Sequence, residues 1–537
     1  MMIKNEKVTK TTLLAMVLAS MIVFDNWGIG CAQEFSRTPS EPMVMELTLT
    51  EAVFMALRQN RSLESIYMDR VLARYNLGRD LTKFHPNLDV EIGAETTASK
   101  ENIRYKDELR EDVYTSVHDP AIYSTTTITQ KIPTGAELTF GWDSRARSPR
   151  DTTRDGTSRM EPLESGWSID LRQPLLKDAG WSYNMASVDI ARMAEEDAVR
   201  ALRDRVIATV TSVIKEYRNL LQQFQELEMQ RSSLNQAREQ YELTKILIDT
   251  GRRAANDILQ TEANVARQEL ALEGAKSRFD SAQLTLLNLL SAGRDITIVP
   301  IEQVSFRLVD TDLDECLKIA FERNASYLSQ LNQQKIAQLA VLQAENQKRW
   351  DLSANARYLQ RWNRDRYTAE TEADKDEWRV GLTLRVPLPI YGEAKYAREG
   401  GLLAARIGLR KARMDILTVE ENLENQIRNA VRGVESAHKQ VELAQRTRTL
   451  SQQSFEVSEL EYRLGRISSM DHIRNQDKLR EDRENEIRAI VSYENTLTTL
   501  DQLLATTLDT WEIEFVPNRQ DLEEEFLGRQ RWLLGDL

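Results

Sequence analysis

The chain has little of what disulfide-stapled or catalytic proteins depend on. Of 537 residues only two are cysteine, Cys31 and Cys316, and four are histidine. Signal cleavage after Ala32 removes Cys31 and leaves Cys316 without an internal partner, so stability has to come from packing and association. The histidines, His85, His118, His438 and His472, have no metal-ligand spacing, and no HExxH, GxGxxG, P-loop or GxSxG pattern accompanies them. Carboxylates are too numerous to nominate any as catalytic, so no enzyme, cofactor or metal centre is expected. Aromatics are scarce at 7%, and the mean hydropathy of −0.50 argues against one thick core. Positive charge is short as well: 71 Lys and Arg against 84 Asp and Glu leave −13, which speaks against a nucleic-acid partner.

Long apolar runs are also missing. The stretch from Thr11 to Phe24, preceded by Lys4, Lys7 and Lys10 and closed by Asp25, is too short to span a bilayer and has the flanks of a secretory signal. Gly30 and Ala32 suit cleavage after Ala32, giving a signal peptide of residues 1–32 and a mature charge of −14. Lipidation at Cys31 is the rival reading, less favoured because Gly28 stands where such signals place an aliphatic residue.

What is present is a repeat. LTEAVFMALRQNRSL (49–63) aligns without gaps on LDECLKIAFERNASY (313–327), an offset of 264 that holds onward to Leu88 and Leu352. LRQPL (171–175) aligns on LRVPL (384–388) at an offset of 213, and Gly251 and Gly465 follow at 214. The units are placed at 33–293 and 313–508, with a linker at 294–312 and a tail at 509–537. Each reads as helix, strands, long helix, glycine break, shorter helix. In the first, the helices are expected at about Thr50–Lys83, Trp181–Asp249 and Asn256–Leu290; in the second, at about Asp314–Lys348, Glu393–Tyr462 and Ser468–Leu504. Val210, Ile214, Tyr217, Leu221 and Phe224 recur in steps of four and three, a narrow stripe suited to coiled-coil packing.

The strands are marked by alternation. Trp378, Val380, Leu382, Leu384 and Val386 share one face, and Arg379, Gly381, Thr383 and Arg385 the other. Leu352 to Trp362, Val90 to Ala94 and Trp167 to Leu171 repeat the pattern. About ten residues apolar on one side and charged on the other, with long polar connectors at 145–165 and 364–377, is the pattern of a transmembrane β-barrel with a wet lumen. A soluble sheet packed on a helix has the same period. An added hairpin around Pro133-Thr134-Gly135 in the first unit leaves the count at four or six strands per chain. Neither closes a barrel alone, so several chains must share one.

The order, duplication and spacing of LTLTEAVFMALRQN (47–60), PNL (86–88), RQPLL (172–176) and the two glycine breaks resemble the TolC family of outer-membrane efflux proteins over nearly the whole mature chain. The resemblance implies a mainly α fold with a transmembrane β-barrel: a homotrimer with one shared barrel in outer-membrane lipid and a helical tunnel through the periplasm of a Gram-negative cell. It further implies passive export, with a periplasmic adaptor (membrane fusion protein) and, through it, an inner-membrane pump. The glycine breaks correspond to tunnel tips, so Gly251, Arg252, Leu464, Gly465 and Arg466 would meet the adaptor. Tyr462 matches a gate tyrosine, Asp257 its acidic partner, and Asp471 a constricting acidic ring; Arg474 stands where a second ring would be acidic. Ser468 is expected to cap the following helix, Asn256 or Asp257 the equivalent one. His472 reads first as an exposed helical histidine and second as a pH-sensitive element. The competing reading of the whole chain is a periplasmic coiled-coil adaptor or structural protein without a barrel.

Overall fold

The computed structural model describes residues 43–103, 113–148, 150–153, 156–159, 162–250, 255–293, 296–302, 306–309, 311–365, 372–386, 393–464 and 466–517. The expected signal peptide 1–32 with Cys31, the expected tip residues Gly251, Arg252 and Gly465, and residues 518–537 lie outside these.

The first helix expected in each unit is two helices. In the first unit α1 (Leu49–Gln59) is followed by α2 (Arg61–Thr82), with Asn60 between them. Asn60 has extended backbone, and its side-chain oxygen accepts from the N–H groups of Ser62 and Leu63, so it ends one helix and caps the next. Its amide also donates to the Leu289 carbonyl at 3.0 Å. A helical period alone does not register such a break, because both pieces keep one apolar face. A capping box opens α1: Thr48 Oγ1 accepts from the Glu51 N–H, and the Glu51 carboxylate accepts from the Thr48 N–H at 2.9 Å. That hydrogen bonding holds the Glu51 carboxyl below its ordinary range.

After the first group of strands come α3 (Trp181–Asp249) and α4 (Asp257–Leu290). The second unit repeats the plan with α5 (Leu313–Arg323), α6 (Ala325–Gln347), α7 (Glu393–Arg463) and α8 (Ser469–Leu504). A one-turn α9 (Thr507–Thr510) closes the described chain. At 1.5 Å per residue α3 and α7 are roughly 100 Å long. The repeat extends to the tertiary contacts: Asn324 separates α5 from α6, and its amide reaches the Leu503 carbonyl at 3.4 Å.

Two apolar clusters hold these rods. Val206, Val210, Val213, Ile214, Tyr217 and Leu220 of α3 meet Phe279, Ala282, Leu286 and Leu290 of α4. Leu423, Ile427, Val431, Val434 and Val441 of α7 meet Ile490, Tyr493, Leu500 and Leu504 of α8. Each fully buried side chain of this kind contributes about 1.5–3 kcal/mol. A parallel pair, β1 (Met43–Leu47) with β8 (Ile296–Pro300), packs on the first cluster, and the Tyr217 hydroxyl donates to the Leu47 carbonyl at 2.9 Å. The strand β8 falls in the stretch 294–312, expected as a linker or equatorial segment with no strand assigned; its β-branched run ITIVP was the available sign.

The remaining strands form one sheet: β2 (Asn87–Ile103), β3 (Val113–Lys131), β4 (Glu137–Arg147), β5 (Arg150–Thr153), β6 (Gly156–Arg159), β7 (Pro162–Pro174), β9 (Asp351–Asp365) and β10 (Glu372–Arg385). The six long strands lie in the order β2-β3-β4-β7-β9-β10, every neighbour antiparallel. The added hairpin β3–β4 therefore sits inside the sheet, between β2 and β7, and the strand count is six. Its turn is tied to the segment that leads into α3, since the Gly180 N–H donates to the Thr134 carbonyl at 3.0 Å. Gly135 adopts φ +96°, and a Cβ there would stand 2.3 Å from the Asp178 carbonyl oxygen.

Candidate functional site

Two regions carry the functional expectations: the faces of the sheet, and the far ends of the helix pairs.

The register sorts the faces, with a few serine, threonine and glutamine positions on the apolar one. On one, Leu88, Val90, Ile92 and Ala94 of β2 continue through Ile128, Phe140, Trp142, Trp167 and Ile169 to Tyr358 and Trp362 of β9, then to Trp378, Val380, Leu382 and Leu384 of β10. Aromatic rings gather on it, with Trp142 and Trp362 edge to face at 5.7 Å and Trp167 against Tyr358 at 5.1 Å. In the single chain this face is bare: Ile92 is 76% exposed and Trp378 77%. The other face carries charge in cross-strand pairs, Arg145 with Glu95, Arg147 with Asp119, Arg357 with Asp170 at 3.4 Å and Arg361 with Asp143 at 3.9 Å. Such pairing neutralises most of the wall while leaving it wet. Among the described residues no helix is long and apolar enough to cross a membrane.

Toward the far ends of the helix pairs the interior becomes polar. Gln230, Gln240 and Thr244 of α3 and Thr261, Asn264 and Gln268 of α4 occupy buried positions that leucine or valine fill higher up. In the second pair Ser451 donates to buried Asp482, which also pairs with Lys478 at 3.0 Å and raises the lysine above its ordinary value. Fewer apolar side chains hold this half, so it is the half with least resistance to opening.

At the very end, α7 stops at Arg463 and α8 starts at Ser469. Ser468 is the N-cap of α8, its hydroxyl accepting from the Asp471 N–H at 3.1 Å, as the S-x-x-D spacing predicts. Asp471 is tied back to the same hydroxyl at 2.7 Å and lies 4.0 Å from Arg474, so within one chain its carboxylate has a capping and pairing role. In the first unit Asn256 does not play this part: it is helical in conformation, and its side chain makes no capping bond. Asp257 is the first residue of α4 and half-buried. Leu464 and Arg466 expose their side chains while their N–H groups donate to the carbonyls of Leu460 and Glu461.

Tyr462 is 4% exposed, and its hydroxyl lies 3.3 Å from Thr244 Oγ1 on α3. Its ring stacks on His472 at 4.5 Å and 10°, and the Phe455 ring also stacks on the imidazole, at 5.6 Å and 27°. His472 is therefore buried, which corrects the expectation of an exposed histidine. Thr244 and Phe455 were missed, since a lone threonine or phenylalanine in a helical run carries no signal. The usable hint was a polar residue at a core position of the stripe. Among the described residues no group of three or more His, Cys, Asp or Glu is placed to hold a metal.

Residues 137–292 match the family described as outer membrane efflux protein. Among solved structures, the chain is 14% identical to the Campylobacter jejuni CmeC outer membrane channel, with 89% of each chain covered and a TM-score of 0.60. It is 16% identical to the outer membrane protein VceC from Vibrio cholerae, covering 86% of this chain and 95% of that one at a TM-score of 0.58. The open state of the Neisseria gonorrhoeae MtrE outer membrane channel is 12% identical, with 85% and 88% covered and a TM-score of 0.57. At these identities the likeness is one of fold. No curated protein matches the chain by sequence.

Proposed function

We propose that this chain, which carries an outer membrane efflux protein domain on the fold of TolC-like channels, is one subunit of a homotrimeric exit duct in the outer membrane of a Gram-negative cell. The observation that carries the reading is the sheet: six strands with a continuous bare apolar face and a paired, charged face, mounted on rods roughly 100 Å long. An aqueous solvent would not tolerate that apolar face, and lipid would not tolerate the charged one. A shared barrel satisfies both. A periplasmic coiled-coil protein without a barrel accounts for the helices but leaves Ile92, Trp378, Val380 and Leu382 in water.

In this reading the helix pairs cross the periplasm and their tips meet an adaptor, through it an inner-membrane pump. Leu464 and Arg466 offer exposed side chains for that contact, together with Gly251, Arg252 and Gly465 outside the described residues. Tyr462, Asp257 and Asp471 form the gate region. Transport is passive, and the chain performs no chemistry on its cargo. Cell fractionation tests the reading: the protein is expected with outer membranes and as a trimer in mild detergent, and recovery as a soluble periplasmic monomer would overturn it.

A further inference from the structure

The sheet has two open edges, β2 and β10, each a row of unpaired backbone groups in a position that the proposed function places in lipid. Lipid does not accept an open edge. Strand direction already favours one solution. From β2 outward the strands alternate, so β10 runs opposite to β2, and β10 of one copy laid beside β2 of the next continues the antiparallel ladder.

We propose that β10 and β2 of neighbouring copies pair in the register the chain uses at its own internal seam, so that three copies close an eighteen-stranded barrel. The internal seam is β7 against β9, where the two repeated units meet, with Asp170 opposite Arg357, Leu171 opposite Ala356 and Arg172 opposite Asn355. The repeat carries β7 onto β10 at an offset of 213 and β2 onto β9 at 264; the apolar faces of both pairs keep those offsets, as do the starts of β2 and β9. Carried over, the seam places Leu384 opposite Ile92, Leu382 opposite Ala94, Arg385 opposite Glu91 and Gly381 opposite Glu95. The apolar face continues without interruption, and a cation of one edge meets an anion of the other. A slip of one residue would set Leu384 against Glu91 or Gly93 and reverse every side chain of the edge.

The consequence is a wide pore. With strands about 4.8 Å apart and tilted by about 40°, eighteen strands give a backbone diameter of roughly 36 Å, against roughly 24 Å for the twelve that three chains without the added hairpin would supply. The barrel then imposes little size limit on cargo, and the narrow point lies at the helical tips.

This inference rests on the proposed outer-membrane trimer, and the test separates the two. The full chain carrying Ala94→Cys with Leu382→Cys, or Glu95→Cys with Gly381→Cys, is treated in outer membranes with a short bismaleimide. Nothing lies within 4 Å of a Cβ added at Gly381, so that cysteine is accommodated. Both pairs are expected to give dimer and trimer bands on a denaturing gel; the single variants, and Ala94→Cys with Trp378→Cys, four residues out of register, are expected to give none. A trimer in the outer membrane that cross-links through the shifted pair, or through neither in-register pair, overturns the seam alone. A chain absent from outer membranes overturns the function reading, and the seam with it.

Discussion

The Tyr462 hydroxyl lies 3.3 Å from Thr244 Oγ1, joining the end of α7 to α3, and both side chains are buried. This contact spans the two helix pairs at the end where their interior is most polar. Tyr462→Phe removes the bond and keeps the ring. One such bond contributes about 1 kcal/mol, so three copies would hold a closed tip by about 3 kcal/mol. In planar bilayers Tyr462→Phe and Thr244→Val are each expected to raise the conductance of the closed channel, and the double variant to add little more. Unchanged conductance in both single variants would remove this bond from the gate.

The imidazole of His472 stacks with both Tyr462 and Phe455, so the tyrosine is held by shape as well as by its hydroxyl. His472→Ala deletes the platform and His472→Phe preserves it. The alanine variant is expected to raise conductance and to speed amide exchange in the last turns of α7, with the phenylalanine variant near the parent in both. Equal effects from the two substitutions would show that stacking is not what positions the tyrosine.

Much of this architecture was legible because it is written twice. The 264-residue offset alone placed α1, α5 and the starts of β2 and β9, and the alternation in 378–386 sorted both faces of the sheet. Three features were hidden, each for a different reason. Asn60 and Asn324 break helices whose apolar stripe runs on unbroken, so periodicity sees one helix where capping makes two. The place of the added hairpin depends on which strand β7 pairs with, a long-range choice that local pattern does not encode. Near the end of α7, Tyr462 and Asp471 were nominated by resemblance, whereas Thr244 and Phe455 become relevant only when α3, α7 and α8 are brought together.

Higher up, Arg218 of α3 braces α8: its guanidinium bonds the Glu494 carboxylate at 3.0 Å, the Glu494 carbonyl at 2.8 Å and Thr498 Oγ1 at 2.8 Å. Burial lowers its pKa, and the carboxylates of Glu494, Asp501 and Glu302 oppose that shift. Arg218→Ala leaves Glu494 partly buried without its cation and is expected to cost about 3 kcal/mol per chain, read as a lower melting temperature in detergent. A loss below about 1 kcal/mol would mean that water replaces the brace.

Burial raises the Asp501 carboxyl above its ordinary 3.8, in spite of hydrogen bonds from Thr506 and Thr510. A raised acid takes up a proton on folding, so its favourable contribution is complete below the unfolded value and is lost as pH rises through the folded one. Asp501→Asn removes this dependence. The melting temperature of the parent relative to the variant is expected to rise as pH falls from 7 toward 4. A difference that stays constant, or moves the other way, would contradict the assignment.

The hairpin turn supplies a test that separates backbone conformation from packing. Gly135 and Gly180 both have positive φ, +96° and +101°, and a side chain at either is strained by about 1–3 kcal/mol. Their surroundings differ: a Cβ at Gly135 would stand 2.3 Å from the Asp178 carbonyl oxygen, whereas nothing lies within 4 Å of one at Gly180. Backbone cannot yield there as a flexible side chain would, so Gly135→Ala must lift the β3–β4 turn off the segment leading into α3. Both variants carry the backbone strain, and we expect Gly135→Ala to cost about 2 kcal/mol more than Gly180→Ala, the larger loss appearing as a lower melting temperature and a smaller yield of trimer. Because the turn belongs to the hairpin that brings the sheet to six strands, the trimer that does form from Gly135→Ala should also cross-link less efficiently between β10 and β2. Equal losses at the two glycines would mean that the turn is not seated against Asp178 and that the hairpin is held by its strands alone.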